Sequence, residues 1–190
     1  MSGSEMRKRV AHCSCGRCEM VLSGEPIVTA ACYCTSCRTA GQRFETLAGG
    51  RPVLAEDGGT PFVLQRKDRV ACTRGAEFLR EHRLTPSSPT RRVVAACCNS
   101  PMFLEFSAGH WLSVYRDRLD AAERPPVEMR TMIADRPAGV EFNDALPSYR
   151  KQSGGFMWRL LVAWVAMGFR APKLDYVKAV SYTHLTLADD

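Results

Sequence analysis

Cys13-Ser14-Cys15-Gly16-Arg17-Cys18 and Cys32-Tyr33-Cys34-Thr35-Ser36-Cys37 repeat one pattern, C-x-C-x-x-C, and a third group, Cys97-Cys98-Asn99-Ser100-Pro101, follows much later. Thiols one or two residues apart can converge on a single small ion, with zinc–sulfur bonds of about 2.3 Å. Gly16 permits the tight backbone that such a knuckle needs, and Asn99 with Pro101 marks a turn beside the third group. Counting ligands separates two roles, because structural zinc takes four protein ligands whereas catalytic zinc keeps a position open. Cys32, Cys34 and Cys37 form a local group of three. Cys13 and Cys15 lack local partners and take theirs from Cys97 and Cys98, tying the first strand to a distant one. Adjacent strand residues point to opposite faces, so Cys97 and Cys98 reach one ion only if the chain turns there. Otherwise the closed site has three cysteines plus another ligand. Cys18 and Cys72 stand in apolar runs and read as core, since free cysteine behaves as a small buried hydrophobe. Iron–sulfur ligation is disfavoured because the spacings fit neither ferredoxin pattern.

The surrounding composition supports metal over disulfides. The chain has 190 residues, nine cysteines and a formal charge of +6. The basic patch within Met1–Arg9 has no apolar run behind it, so no secretory signal is read and a cytoplasmic location is expected. Reduced thiols follow from that, and the odd cysteine count agrees. A chain of this length buries roughly two-thirds of its unfolded surface and does not need metal merely to fold. The cations Arg66, Lys67, Arg69, Arg91 and Arg92 are spread out without interleaved aromatics, which reads as a solvated basic surface. No nucleic-acid partner is expected. His12 adjoins Cys13 and is read as a surface histidine, while His82 and His110 have no cysteine neighbours in sequence.

Short apolar runs separated by turn residues predict a mainly β domain. They are Glu19–Gly24, Ile27–Ala31, Phe62–Gln65, Ala76–Leu84, Arg91–Ala96, Met102–Phe106 and Trp111–Tyr115. Arg38–Leu47 reads as a short helix or an irregular loop, and Arg116–Tyr149 as a loosened, proline-punctuated stretch. Phe156–Phe169 is long for a strand and stops at Gly168 and Pro172, which predicts a helix. It is too short to span a bilayer. Packing on the sheet or on a second subunit is the expected role, with an interfacial membrane helix as the alternative. The expected organisation is a flexible N-terminus over 1–11, a zinc-binding β domain over 12–150, a helical extension over 151–180, and an unstructured or artefactual tail over 181–190.

Taken in order, Cys13-Ser14-Cys15-Gly16, Cys32-Tyr33-Cys34-Thr35-Ser36-Cys37-Arg38 with Gly41, and Cys98-Asn99-Ser100-Pro101 resemble the glutathione-dependent formaldehyde-activating enzyme and centromere-protein-V-like family, from about His12 to Tyr115. The resemblance implies a β-tent of twisted antiparallel sheets around a structural zinc, and a second, catalytic zinc on Cys32, Cys34 and Cys37. It implies a carbon–sulfur lyase or synthase acting on a thiol–aldehyde adduct of the glutathione–formaldehyde type. Arg38 and Arg43 lie close in sequence and read either as receivers of a carboxylate of the thiol or as solvated arginines. The family's usual Cys-x-x-Cys-Gly is altered here, with Ala95 at its first position and Cys97 beside Cys98. A non-catalytic zinc module, or a labile-zinc or thiol sensor, is the competing reading of the same cysteines.

Overall fold

Along the central strands large apolar residues occupy successive positions, which makes sense only for a sheet buried on both faces. A computed structural model, which describes residues 6–181, bears this out. Residues 1–5, and residues 182–190 of the expected tail, lie outside the described residues. The strands are β1 (Lys8–His12), β2 (Glu19–Ser23), β3 (Val28–Cys32), β4 (Thr60–Arg66), β5 (Val70–Arg74), β6 (Leu79–His82), β7 (Thr90–Ala95), β8 (Ser100–Phe106), β9 (Trp111–Tyr115), β10 (Met129–Thr131) and β11 (Lys178–Ser181). The helices are α1 (Thr35–Glu45) and α2 (Gly154–Ala166). The fold is therefore mainly β with a C-terminal helix, as expected.

Strands β1, β2 and β5 form a three-stranded antiparallel sheet. The other eight run in the order β10-β3-β4-β9-β8-β7-β6-β11, antiparallel except at the two edges. Alternation sends Val63, Val93, Phe103, Leu112 and Val114 to one face, where they pack with Ala11, Met20 and Leu22 of the small sheet. Phe62, Leu64, Val94 and Tyr115 go to the other face and meet Phe44 of α1 with Phe156 and Leu160 of α2.

Several boundaries differ from expectation, each for a long-range reason. The stretch expected to be loose up to residue 11 contains β1, paired in full register with β2 from Lys8↔Ser23 to His12↔Glu19. Arg38–Leu47 is helical as far as Glu45, and the helix begins earlier, at Thr35. Its first turn is capped from afar: the Asp135 carboxylate accepts from the Thr35 N–H at 3.2 Å and from its hydroxyl at 3.4 Å. Helix α2 starts at Gly154 because the Ser153 hydroxyl accepts from Phe156 N at 3.0 Å. It ends at Ala166, with Met167 as cap, and Gly168 just after it has the left-handed φ of 62° that its glycine suggested. Within 116–149, order comes from Arg130, which grips Asp144 with both Nη atoms (2.7 and 2.5 Å) and lies 4.2 Å over the Phe142 ring. No helix among the described residues is long and apolar enough to cross a membrane.

Candidate metal centres

The end of β1, the loop after it and the β7–β8 turn bring Cys13, Cys15, Cys97 and Cys98 together, with all four sulfurs within 4.8 Å of one another. Sulfur separations are 3.5 Å for Cys13–Cys15, 3.7 Å for Cys13–Cys97, 3.5 Å for Cys15–Cys97 and 3.9 Å for Cys97–Cys98. A tetrahedron with legs of about 2.3 Å has edges of about 3.8 Å, so this donor set fits a zinc-sized ion. The objection to Cys97 and Cys98 facing one ion is removed by Asn99, whose φ of 51° closes a turn between the strands. Gly16, at φ 74°, closes the knuckle on the other side, its N–H donating to Cys13 O at 2.9 Å.

Supporting contacts surround this group. The Cys18 N–H donates to Cys13 Sγ at 3.2 Å. Arg17 donates from Nε to Cys15 Sγ at 3.5 Å and from Nη2 to Cys97 O at 2.8 Å. The side-chain and backbone hydrogen bonds from Arg17 lower the Cys15 thiol to about 6, against a usual value of 9.0. Burial raises the Cys13 and Cys97 thiols. At Cys98 burial also pushes upward, but the Ser100 hydroxyl at 3.1 Å helps carry the net shift downward. Ser100 Oγ further accepts from Ser14 N at 2.9 Å. Arg17 and Ser100 stand inside the cysteine motifs, but the sequence pattern gave neither a supporting role.

The second group lies on the opposite face of the large sheet. Cys32 ends β3, Cys34 is the N-cap of α1 and Cys37 stands in its first turn, which puts the three sulfurs within 4.8 Å. They line a cavity of about 290 Å³ whose other walls include Phe62, Leu64, Leu104, Trp111 and Phe156. No charged residue lines it. The three thiols share protons unequally: hydrogen bonds from Cys32 and Cys37 hold Cys34 far below the usual thiol range. Cys32 is pushed up to about 11, chiefly by its hydrogen bond to Cys34. Cys37 is raised well above the usual value, first by Cys32 and then by Cys34.

Arg92 is the residue of this site that sequence reasoning missed. It is not solvated but fully buried on β7, and its Nη2 donates to Ser36 O and Ser36 Oγ, both at 2.9 Å. Its Nε and Nη1 have no hydrogen-bond partner. A buried cation thus braces the turn that carries Cys34 and Cys37. Lys67 and Arg91 are not simple surface cations either, since both pair with the buried Glu105 carboxylate at 2.5 Å. Arg38 and Arg43 do not line the cavity: Arg38 donates to Asp135 O at 2.5 Å, and Arg43 is exposed in the last turn of α1.

The remaining candidates fall outside both groups. Cys18 is fully buried and Cys72 half-buried, and their thiols interact with each other. His12 Nε2 lies 3.0 Å from Asp120. His110 Nε2 lies 2.8 Å from Leu160 O, and its ring stacks on Trp164 at 5.7 Å, so it docks α2. Buried His82 sits edge-on to Phe44 at 5.6 Å.

The two cysteine groups could hold metal ions. No family model matches the chain, and no curated protein matches its sequence. Among solved structures, a Rhodobacter sphaeroides protein from the Northeast Structural Genomics effort is similar at 14% identity and a TM-score of 0.41, covering 74% of this chain and 98% of its own.

Proposed function

We propose that the chain is a divergent relative of the glutathione-dependent formaldehyde-activating enzyme and centromere-protein-V-like family and binds two zinc ions. In this reading Cys13, Cys15, Cys97 and Cys98 hold a structural ion, and Cys32, Cys34 and Cys37 hold a catalytic one. The observation that carries it is the difference in surroundings. Four thiols at tetrahedral spacing close one site, whereas three thiols face a cavity and leave room for a fourth ligand.

The reaction proposed is formation or cleavage of a carbon–sulfur bond between a small thiol and an aldehyde. As the thiol sulfur joins the carbonyl carbon, its proton passes to the carbonyl oxygen, and the reverse step returns both reactants without any third one. A divalent ion on the three thiolates would supply Lewis acidity and favour the thiolate form of a bound thiol. The chain's own residues do the rest. Phe62, Leu64, Trp111 and Phe156 wall off water, and Arg92 holds the Ser36 backbone and hydroxyl. Because no charged residue lines the cavity, an uncharged adduct suits it better than glutathione, whose carboxylates and ammonium would have to stay outside.

The test is turnover of a panel of neutral and charged thiol–aldehyde adducts by zinc-replete protein, with Cys34→Ser as control. Faster turnover of neutral adducts, lost in Cys34→Ser with the fold kept, is the expected result. Zinc-replete protein that turns over none of the panel would sink the catalytic reading. If its second zinc also exchanges freely with added thiol, a labile-zinc sensor takes its place.

A further inference from the structure

Helix α2 is held to the sheet by one side only. Phe156, Leu160 and Ala163 are buried, with Met167 just beyond the helix end, and His110 fixes the Leu160 carbonyl. The rest of the surface is apolar and open. Among the described residues, ten large hydrophobic side chains are exposed, and seven of them lie here: Met157, Trp158, Leu161, Val162, Trp164, Val165 and Phe169. Trp158 is 65% exposed, Phe169 60% and Val165 51%. Monomeric proteins seldom leave so concentrated an apolar patch without a partner.

Charge identifies the partner. From Ala145 to Leu174 the sequence holds Arg150, Lys151, Arg159, Arg170 and Lys173 and not one Asp or Glu. All five cations are exposed, at both ends of the helix and within it. Glu128 and Asp68, which approach from neighbouring segments, pair with Arg159 and Arg66, which leaves Asp175, just past Leu174, as a lone exposed acid against five cations. A second copy docking through the same face would set cations against cations with no acidic residue of the segment to pair them. The helix is also too short to cross a bilayer.

We propose that α2 and its basic flanks dock the protein on an anionic phospholipid surface, with the helix lying in the interfacial plane. Trp158, Val162, Val165 and Phe169 enter the headgroup–acyl boundary, while Arg150, Lys151, Arg170 and Lys173 meet lipid phosphates. This inference does not depend on the metal chemistry.

The experiment is co-sedimentation of the full chain with vesicles of phosphatidylcholine alone or of phosphatidylcholine mixed with phosphatidylserine, over a range of salt. Binding to the anionic vesicles about tenfold or more above the neutral ones, weakened by salt, is expected. The double variant Trp158→Glu/Val165→Glu, altered only at exposed positions, should lose binding while keeping its circular dichroism and metal content. Arg170→Glu/Lys173→Glu should keep the apolar face but lose the preference for phosphatidylserine. Equal sedimentation with both vesicles overturns the proposal, as does retained binding in the Trp158/Val165 variant. A protein that ignores vesicles but forms a dimer abolished by that variant would instead assign the face to a second copy.

Discussion

Replacing Arg92 with methionine tests whether a buried cation supports the three-thiol site. Methionine keeps an unbranched stem where β7 packs between β6 and β8, opposite His82 and Leu104, and removes the charge and both hydrogen bonds to Ser36. Hydrogen bonds from a charged donor contribute about 1.5–3 kcal/mol each. Against them stands the penalty for burying a guanidinium two of whose nitrogens have no partner, several kcal/mol by the same reasoning. The two nearly offset, so global stability should change by less than about 2 kcal/mol. Metal affinity should respond more. Three thiolates on a divalent ion leave a surplus negative charge, and Arg92 both offsets it and fixes the turn bearing Cys34 and Cys37. Loss of such an outer support typically lowers metal affinity by about 10- to 100-fold, equivalent to about 1.4–2.8 kcal/mol. Zinc competition against a chromophoric chelator reads both sites at once, and the four-thiol site, which Arg92 does not contact, is the internal reference. Affinity at the three-thiol site within about twofold of the parent would refute the reasoning.

Three further outcomes separate the other parts of the molecule. Cys34→Ser should lower bound zinc from two equivalents to one with little change in melting temperature, whereas Cys98→Ser should lower both metal content and melting temperature, as elemental analysis and calorimetry would show; equal effects would contradict the division of roles. Glu105→Gln leaves buried Lys67 without its carboxylate, while half-buried Arg91 keeps Glu81, and should lower unfolding free energy by about 3–5 kcal/mol in urea titration; a loss below about 1 kcal/mol would mean that Lys67 finds water instead. Asp144 is lowered from 3.8 to about 2, first by its hydrogen bonds from Arg130. A carboxyl depressed in the folded state stabilises above its unfolded value and ceases to do so as pH falls through the folded one. Asp144→Asn should therefore weaken hydrogen-exchange protection around Arg130 at neutral pH, and the difference from the parent should vanish near pH 2. High salt should shrink it too, because the carboxylate is exposed.

What could be read from the sequence was what short spacing encodes. The short spacings bring Cys13 to Cys15 and Cys32 to Cys34 and Cys37, Cys18 turning to the core instead, and the division into groups of four and three follows once the Cys97–Cys98 pair is counted. Whether Cys97 joins Cys98 at one ion stayed open at that level, and it is the left-handed backbone of Asn99 that turns both sulfurs to one side. What could not be read depends on partners far along the chain. The start of α1 is set by Asp135. Arg92 looks like any surface arginine until β6 and β8 enclose it and Ser36 is brought against it. Arg38 follows an expected ligand cysteine, yet it turns away to the Asp135 carbonyl, so nearness in sequence misplaced it.

Helix α2 is where the two proposals meet, and its geometry keeps them separable. Phe156 belongs to the cavity wall and is buried, whereas Trp158 and Val165 project from the same helix into solvent and do not line the cavity. Charging Trp158 and Val165 therefore removes the outer apolar face without touching a wall of the three-thiol site. Phe156→Ala does the reverse: it opens the cavity beside Cys32, Cys34 and Cys37 and leaves the outer face and its cations in place. If substrate partitioned into a bilayer and entered the site from it, both changes would depress turnover in the presence of vesicles, but with substrate in solution and no vesicles only Phe156→Ala would do so. If the substrate is freely soluble, Trp158→Glu/Val165→Glu would leave turnover unchanged under both conditions. The comparison thus assigns the helix either to localisation alone or to localisation and substrate entry together.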